Sequence, residues 1–253
     1  MNKMLVTAPE IYNHRLKNVL IKNDFQTIQF PVITTEIFFN SNFKSIFEKI
    51  NSIDYVILPS RNAIKTWFFH WKYAKLPYNK LKDIRFVTIG KDKEYLMDFG
   101  FKSAIIPSES GTQGIVKELS LLENLSRVVV VAPKVKSIRE PSIIPDLISN
   151  LKKFTEVIRM DGYITRPIEN FDMQRFDAIV NDKNVYIALT SGGEAEALNF
   201  LIGKHKFKNL KFVCFGPYTA STLKKLGVKP IFTGTRYSAF DDFASQLKNF
   251  LNH

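Results

Sequence analysis

Short apolar runs alternate with longer amphipathic stretches along the whole chain. The runs fall at residues 4–7, 55–58, 85–89, 103–106, 127–131, 185–189 and 211–215. They are rich in Val, Ile, Leu and Phe and mostly continuous, as strands covered on both faces require. Between them, apolar positions return at helical spacing over 63–73, 93–99, 112–121, 143–152, 195–201 and 218–226. Strand, helix and strand in succession predict parallel sheets with right-handed crossovers. The fold class is α/β.

The order also repeats within the chain. One copy reads Tyr55-Val-Ile-Leu-Pro-Ser60, a helix, Phe86-Val-Thr-Ile-Gly90, and a helix ending at Phe99-Gly100-Phe101. The other reads Tyr186-Ile-Ala-Leu-Thr-Ser191, a helix, Phe212-Val-Cys-Phe-Gly216, and a helix ending at Leu226-Gly227-Val228. A serine closes the first strand of each copy and a glycine closes the second. Gly100 and Gly227 stand where a helix ends on a left-handed residue. The repeat predicts two similar parallel-sheet α/β domains.

A plain tandem duplication does not suit the first segment, which has one strand, one helix and a second strand before Pro31. Extended stretches at 26–35 and 155–167 instead suggest one domain inserted in the other. The expected layout is residues 1–33 plus 167–253 for one domain and 36–163 for the inserted one. The linkers fall near 31–35 and 163–167. A two-stranded extended linker of this kind would let the domains open and close a cleft.

Composition adds a sign to that picture. Among 253 residues, 36 Lys and Arg face 24 Asp and Glu, a formal net charge of +12. The excess favours an anionic partner: a polycarboxylate, a phosphate, nucleic acid or an acidic surface. It is scattered rather than blocked, which disfavours nucleic acid. No apolar run reaches the about 20 residues that span a bilayer, so no membrane partner is expected. The first residues enter a strand without a signal-peptide pattern, and a cytoplasmic location is expected. A lone cysteine, Cys214, sits in a strand pattern and reads as a space-filler.

Ligands of parallel α/β sheets bind beyond the carboxyl ends of the strands. Those ends carry Thr7, Ser60-Arg61-Asn62, Gly90, Lys134, Thr190-Ser191-Gly192-Gly193 and Gly216-Pro217-Tyr218-Thr219. Small residues let a ligand approach the backbone, and helices starting there offer unpaired N–H groups to an anion. Each residue also has a plainer role. Ser60 and Ser191 are natural helix caps, Gly192-Gly193 can be a turn, and Tyr163 can pack against a neighbouring strand. His14, His70, His205 and His253 are dispersed, and no nucleotide-binding or nucleophile motif occurs. No metal and no cofactor are expected.

Taken in order, these segments resemble the uroporphyrinogen-III synthase family. Phe215-Gly216-Pro217-Tyr218-Thr219-Ala220 is similar to its Gly-Pro-x-Thr-Ala signature. Tyr163-Ile164-Thr165 resembles its Tyr-x-Thr linker. Leu189-Thr190-Ser191 and Leu58-Pro59-Ser60 are similar to its paired strand ends. The likeness departs at Ala8, where the family commonly has arginine, at Lys93, commonly threonine, and at Ala132-Pro133. The resemblance implies two α/β domains on a two-stranded ladder. It also implies a cofactor-independent lyase that closes the linear tetrapyrrole hydroxymethylbilane into uroporphyrinogen III, with loss of water and inversion of ring D. By the same analogy Tyr163 is the catalytic proton donor. Thr7, Ser60, Arg61, Asn62, Gly90, Lys134, Ser191, Gly192, Gly193, Gly216, Tyr218 and Thr219 hold the polycarboxylate substrate in the interdomain cleft, and a monomer is expected. The competing reading is a non-catalytic binding or regulatory module that clamps another anion.

Overall fold

A computed structural model describes residues 2–109, 111–235 and 239–252, the side chain of Ile11 excepted. His253 lies outside the described residues. In chain order the elements are β1 (Lys3–Val6), α1 (Glu10–Lys22), β2 (Gln26–Gln29), β3 (Ile33–Ile37), α2 (Asn42–Glu48), β4 (Tyr55–Leu58) and α3 (Arg61–Tyr73). There follow β5 (Phe86–Thr88), α4 (Asp92–Met97), β6 (Ser103–Ile105), α5 (Thr112–Ser120), β7 (Arg127–Val135), α6 (Ile143–Leu151) and β8 (Glu156–Pro167). The last are α7 (Met173–Val180), β9 (Val185–Leu189), α8 (Gly192–Ile202), α9 (Lys204–Lys208), β10 (Phe212–Cys214), α10 (Pro217–Lys225), β11 (Phe232–Thr233) and α11 (Phe240–Leu251).

The chain divides into two compact units. The first is Met1–Thr35, Val135–Pro141 and Thr165–His253; the second is Glu36–Lys134 and Ser142–Ile164. The first unit holds a five-stranded sheet in the order β11-β10-β9-β1-β2, parallel throughout. Leu5, Ile187, Leu189 and Phe212 face one apolar layer, while Met4, Val6, Ala188 and Val213 face the other. Successive strand residues point to opposite faces, so burying both faces demands an unbroken apolar run.

The other sheet runs β3-β8-β7-β4-β5-β6. Val56, Leu58, Phe86 and Val129 face one layer of the second unit, and Tyr55, Ile57, Val87 and Val128 the other. The first of these layers is aromatic: α3 sets Trp67 and Trp71 one turn apart, and the Phe47 ring meets both edge-on at 5.0 and 4.8 Å. Edge-to-face pairs of this kind add about 0.5–1.5 kcal/mol each beyond area burial. The Phe38 N–H donates to Gly162 O, and the Ile168 N–H to Val32 O, so β3 runs antiparallel to β8.

The internal repeat is visible as β4-α3-β5-α4-β6-α5 and β9-α8-β10-α10-β11-α11, with α9 as an addition to the second copy. Gly100 and Gly227 close their helices at φ +86° and +81°, the left-handed turn expected of them. Two expectations shift. Strand β7 continues through Pro133 to Val135. Its pairing with β4 stops at Ile57 opposite Val130, so the missing N–H of Pro133 breaks no ladder there. Helix α8 begins three residues early and takes Gly192 and Gly193 into its first turn.

Candidate active site

In the second unit, the site grows from the start of α3. Ser60 is extended at φ −163° and its Oγ accepts the Ala63 N–H at 3.1 Å, a standard helix cap. Strand β8 reaches this helix because residue 162 is glycine. A Cβ there would lie 2.2 Å from Thr66 Cγ2 and 2.9 Å from Phe43 Cζ. The next residue, Tyr163, is 5% exposed and sets its hydroxyl 3.1 Å from Ser60 Oγ.

The direction of that bond depends on what each group has left. The Tyr163 proton has no other acceptor among the described residues, and a buried hydroxyl proton left unbonded is costly. Tyr163 therefore donates to Ser60. Ser60 then accepts from both Ala63 and Tyr163, and its single O–H is left to point away from them. Burial pushes the Tyr163 phenol up to about 12, with the Ser60 bond opposing.

Around this pair lie charges. Arg61, the first residue of α3, donates to Asp92 Oδ1 at 3.3 Å and stacks 5.0 Å from the Tyr95 ring. Burial raises the Tyr95 pKa, with the Arg61 charge opposing. Gly90, two residues past β5, has φ +50° and turns the chain into α4, which carries Asp92. Asn62 sits half-buried in the first turn of α3. Arg159 on β8 donates to Asp161 Oδ1 at 2.7 Å and to Pro133 O at 2.8 Å. Lys134, expected at a strand end, is exposed within β7.

In the first unit the corresponding serine, Ser191, caps α8 by accepting the Glu194 N–H at 3.4 Å. Its partner, however, is a carboxylate. Glu194 is fully buried and its side chain gathers four donors. Oε2 takes the Thr7 hydroxyl at 2.7 Å and the Thr190 N–H at 3.1 Å; Oε1 takes the Ser191 hydroxyl at 3.0 Å and that of Thr190. Thr7 is itself fully buried, and its hydroxyl also lies 3.0 Å from Ala188 O. Burial raises the Glu194 pKa against those hydrogen bonds. Cys214 on β10 is fully buried too; burial first and the Glu194 charge second push its thiol up to about 12. It is inert, as its strand setting implies.

Gly192 opens α8 against α10. A Cβ on it would meet Thr222 Oγ1 at 2.4 Å, and the Thr222 hydroxyl lies 3.3 Å from Tyr218 O. Gly193 has room, its nearest neighbour being Ser191 Oγ at 3.7 Å. Gly216 caps α10, Pro217 takes its first position, Tyr218 is half-buried and Thr219 is 3% exposed. The structure thus brings Thr7 and Ser191 together through Glu194, Gly192 with Tyr218 through Thr222, and Ser60 with Tyr163. Glu194 is not among the residues the sequence points to, although Ser191-x-x-Glu194 is the capping-box spacing. Its bond to Thr7, 187 residues away, has no local signal.

Among the described residues, no three His, Cys, Asp or Glu side chains gather as a metal site. No helix of the described residues is long and apolar enough to cross a membrane.

Comparison with known proteins bears on the same architecture. A "Putative uroporphyrinogen-III synthase" of Methanocaldococcus jannaschii is 21% identical over 243 residues, covering 90% of this chain and 91% of its own. A mutant uroporphyrinogen III synthase from Thermus thermophilus superposes with a TM-score of 0.62 at 16% identity, over 100% of this chain and 99% of its own. The uroporphyrinogen-III synthetase of Helicobacter pylori 26695 gives 0.59 at 17% identity, over 99% and 100%. At such identities these structures establish the fold. The family model of uroporphyrinogen-III synthase HemD matches residues 14–241. With that match spanning most of its length, the chain belongs to the uroporphyrinogen-III synthase family.

Proposed function

We propose that this protein closes hydroxymethylbilane into uroporphyrinogen III, a lyase step of tetrapyrrole biosynthesis, with Tyr163 supplying the proton for loss of water. The observation that carries the chemistry is the Tyr163–Ser60 hydroxyl pair at the start of α3, at 3.1 Å. Family membership supplies the substrate.

The hydroxymethyl group on ring D must lose its oxygen to give an electrophilic azafulvene. As the C–O bond breaks, the departing hydroxide is the conjugate base of water, pKa about 15.7. A phenol at about 12 is more acidic than that, so the proton moves downhill as the bond opens. Ser60, half-buried, gives its outward proton to the oxygen and takes that of Tyr163 behind it. The ring D pyrrole gives up its N–H proton as the azafulvene forms. Return of that proton to the tyrosinate closes the balance, and one water leaves.

Ring closure must then be directed. Uncatalysed closure yields the non-inverted isomer. A hundredfold preference for the inverted one needs only about 2.7 kcal/mol between two transition states. Ser60 gives its hydrogen to the leaving oxygen and Thr7 is fully buried, so the carboxylate arms fall to Arg61, Asn62, Gly90 and Lys134, and to Ser191, Gly192, Gly193, Gly216, Tyr218 and Thr219, which supply that preference by orientation. The net charge of +12 steers a substrate with many carboxylates toward the protein.

The test is an assay with freshly generated hydroxymethylbilane, separating isomers I and III after oxidation. Isomer III above the spontaneous background is expected, and Tyr163→Phe should lower kcat about tenfold while isomer III still predominates. Only isomer I from folded protein would sink the synthase reading. It would leave the non-catalytic module that clamps another anion.

A further inference from the structure

The first unit's strand-end hydroxyls carry a chemical restriction. A serine or threonine hydroxyl has one hydrogen to give. With Glu194 ionised, Thr7, Thr190 and Ser191 all spend that hydrogen on its two oxygens. None of these hydroxyls is then left to donate to a substrate carboxylate, and a negative charge lies beneath the place where one should bind.

A neutral carboxyl reverses this. A proton on Oε1 is donated to Thr190 or Ser191, and the hydroxyl that receives it is released to donate its own hydrogen elsewhere. Both of those residues are half-buried, so that hydrogen can turn outward. A proton on Oε2 goes instead to Thr7, whose hydrogen then settles on Ala188 O at 3.0 Å, fully inside.

We propose that Glu194 is a positioning residue: its carboxyl decides whether the Thr190 and Ser191 hydroxyls accept or donate, and its neutral form turns one O–H toward a substrate carboxylate. The inference rests on the polycarboxylate substrate proposed above. Two observations favour the neutral form. No lysine or arginine pairs with Glu194 among the described residues, and an unpaired buried charge is expensive. Burial is also the largest influence on its pKa, and it raises it. A cap needs only Ser191 and its own turn; the bond to Thr7 across the sheet goes beyond capping.

The experiment compares Glu194→Gln and Glu194→Ala with wild type by steady-state kinetics and thermal unfolding. Glutamine is uncharged and keeps an acceptor and a donor, so KM should stay within about threefold of wild type. Alanine should raise KM about tenfold, with kcat within about threefold in both, the signature of lost uniform binding. A folded alanine variant with unchanged KM reduces Glu194 to a cap and overturns the proposal. A glutamine variant as impaired as alanine overturns the neutral form. Should alanine fail to fold, the ¹³C carboxyl shift of Glu194 in wild type decides, since titration near 4.5, as in an exposed glutamate, overturns the proposal. If wild type makes no isomer III, the synthase reading fails on its own. Affinity for mellitate, a benzene hexacarboxylate, then carries the same three-way comparison, and no binding by wild type overturns the inference as well.

Discussion

Two serines close equivalent strands in the two units, and each caps the helix that comes next. They differ in what stands behind them. Ser60 is backed by a phenol that gives it a hydrogen, so its own hydrogen faces away. Ser191 is backed by a carboxyl that takes its hydrogen when ionised. Three residues after the serine, the second unit has Ala63 and the first has Glu194, and that single difference changes the character of the strand end. On the roles proposed above, an internal repeat keeps its backbone plan while one copy donates protons and the other orients hydroxyls.

The sharpest way to break this contrast is to keep Tyr163 from reaching Ser60. Gly162→Ala puts a Cβ 2.2 Å from Thr66 Cγ2, and overpacking of this kind costs about 3 kcal/mol. Calorimetry should show a fall in melting temperature of about 6–12 °C, together with a fall in isomer III beyond that of Tyr163→Phe.

Removing the serines separates the two copies next. Ser60→Ala deletes a cap and leaves the Tyr163 proton without its acceptor, for about 2 kcal/mol by denaturant unfolding. Ser191→Ala deletes a cap but leaves Glu194 three of its four donors, for about 1 kcal/mol. Equal losses would mean that the groups behind the serines do not matter.

Acid should also tell the units apart. His70 in the second unit lies within hydrogen-bond distance of Thr66 O through Nδ1 and accepts the Asn40 N–H on Nε2 at 3.1 Å, and burial lowers its pKa. A lowered base keeps its stability above the unfolded value of 6.5 and loses it as pH falls toward its folded value. Glu194 has the opposite sign. Its contribution is complete below 4.5 and is lost as pH rises through its raised folded value. Amide exchange compared at pH 5 and pH 8 should therefore show the second unit loosening in acid and the first loosening in base.

The smallest effect separates two adjacent glycines. Gly193→Ala should stabilise by about 0.5 kcal/mol, since its Cβ meets nothing nearer than 3.7 Å and a helix prefers alanine. Gly192→Ala should destabilise through Thr222, and Thr222→Ala should relieve it.

The strands were legible because both faces of each sheet are covered, which forces runs such as Val128-Val129-Val130-Val131. Gly100 and Gly227 were legible because only glycine suits that turn. The ends of elements were harder to read. Pro133 looked like a stop, yet β7 has already left β4 by that point, so the proline breaks no hydrogen bond to β4. Gly192-Gly193 suggested a turn, but the Ser191 cap holds them in α8. The site was half legible for the same reason. Ser60 and Ser191 announce themselves locally, whereas the Thr7–Glu194 bond depends on β1 lying beside β9, and the Tyr163–Ser60 bond on a helix touching Gly162.

The course of the chain through the two units has a consequence for how the protein forms. Strand β1 lies between β2 and β9, with Lys3 opposite Val185, so the first segment has only β2 to pair with until the last third of the chain exists. On the ribosome, the second unit is complete once Ile164 emerges, while the apolar β1 is already out and has only β2 beside it. Closing so long a loop is slow, and exposed strands in that interval invite wrong partners. The second unit can then be finished while the N-terminal segment still waits for β9. The order of synthesis is the reverse of the order in which the first sheet can be finished.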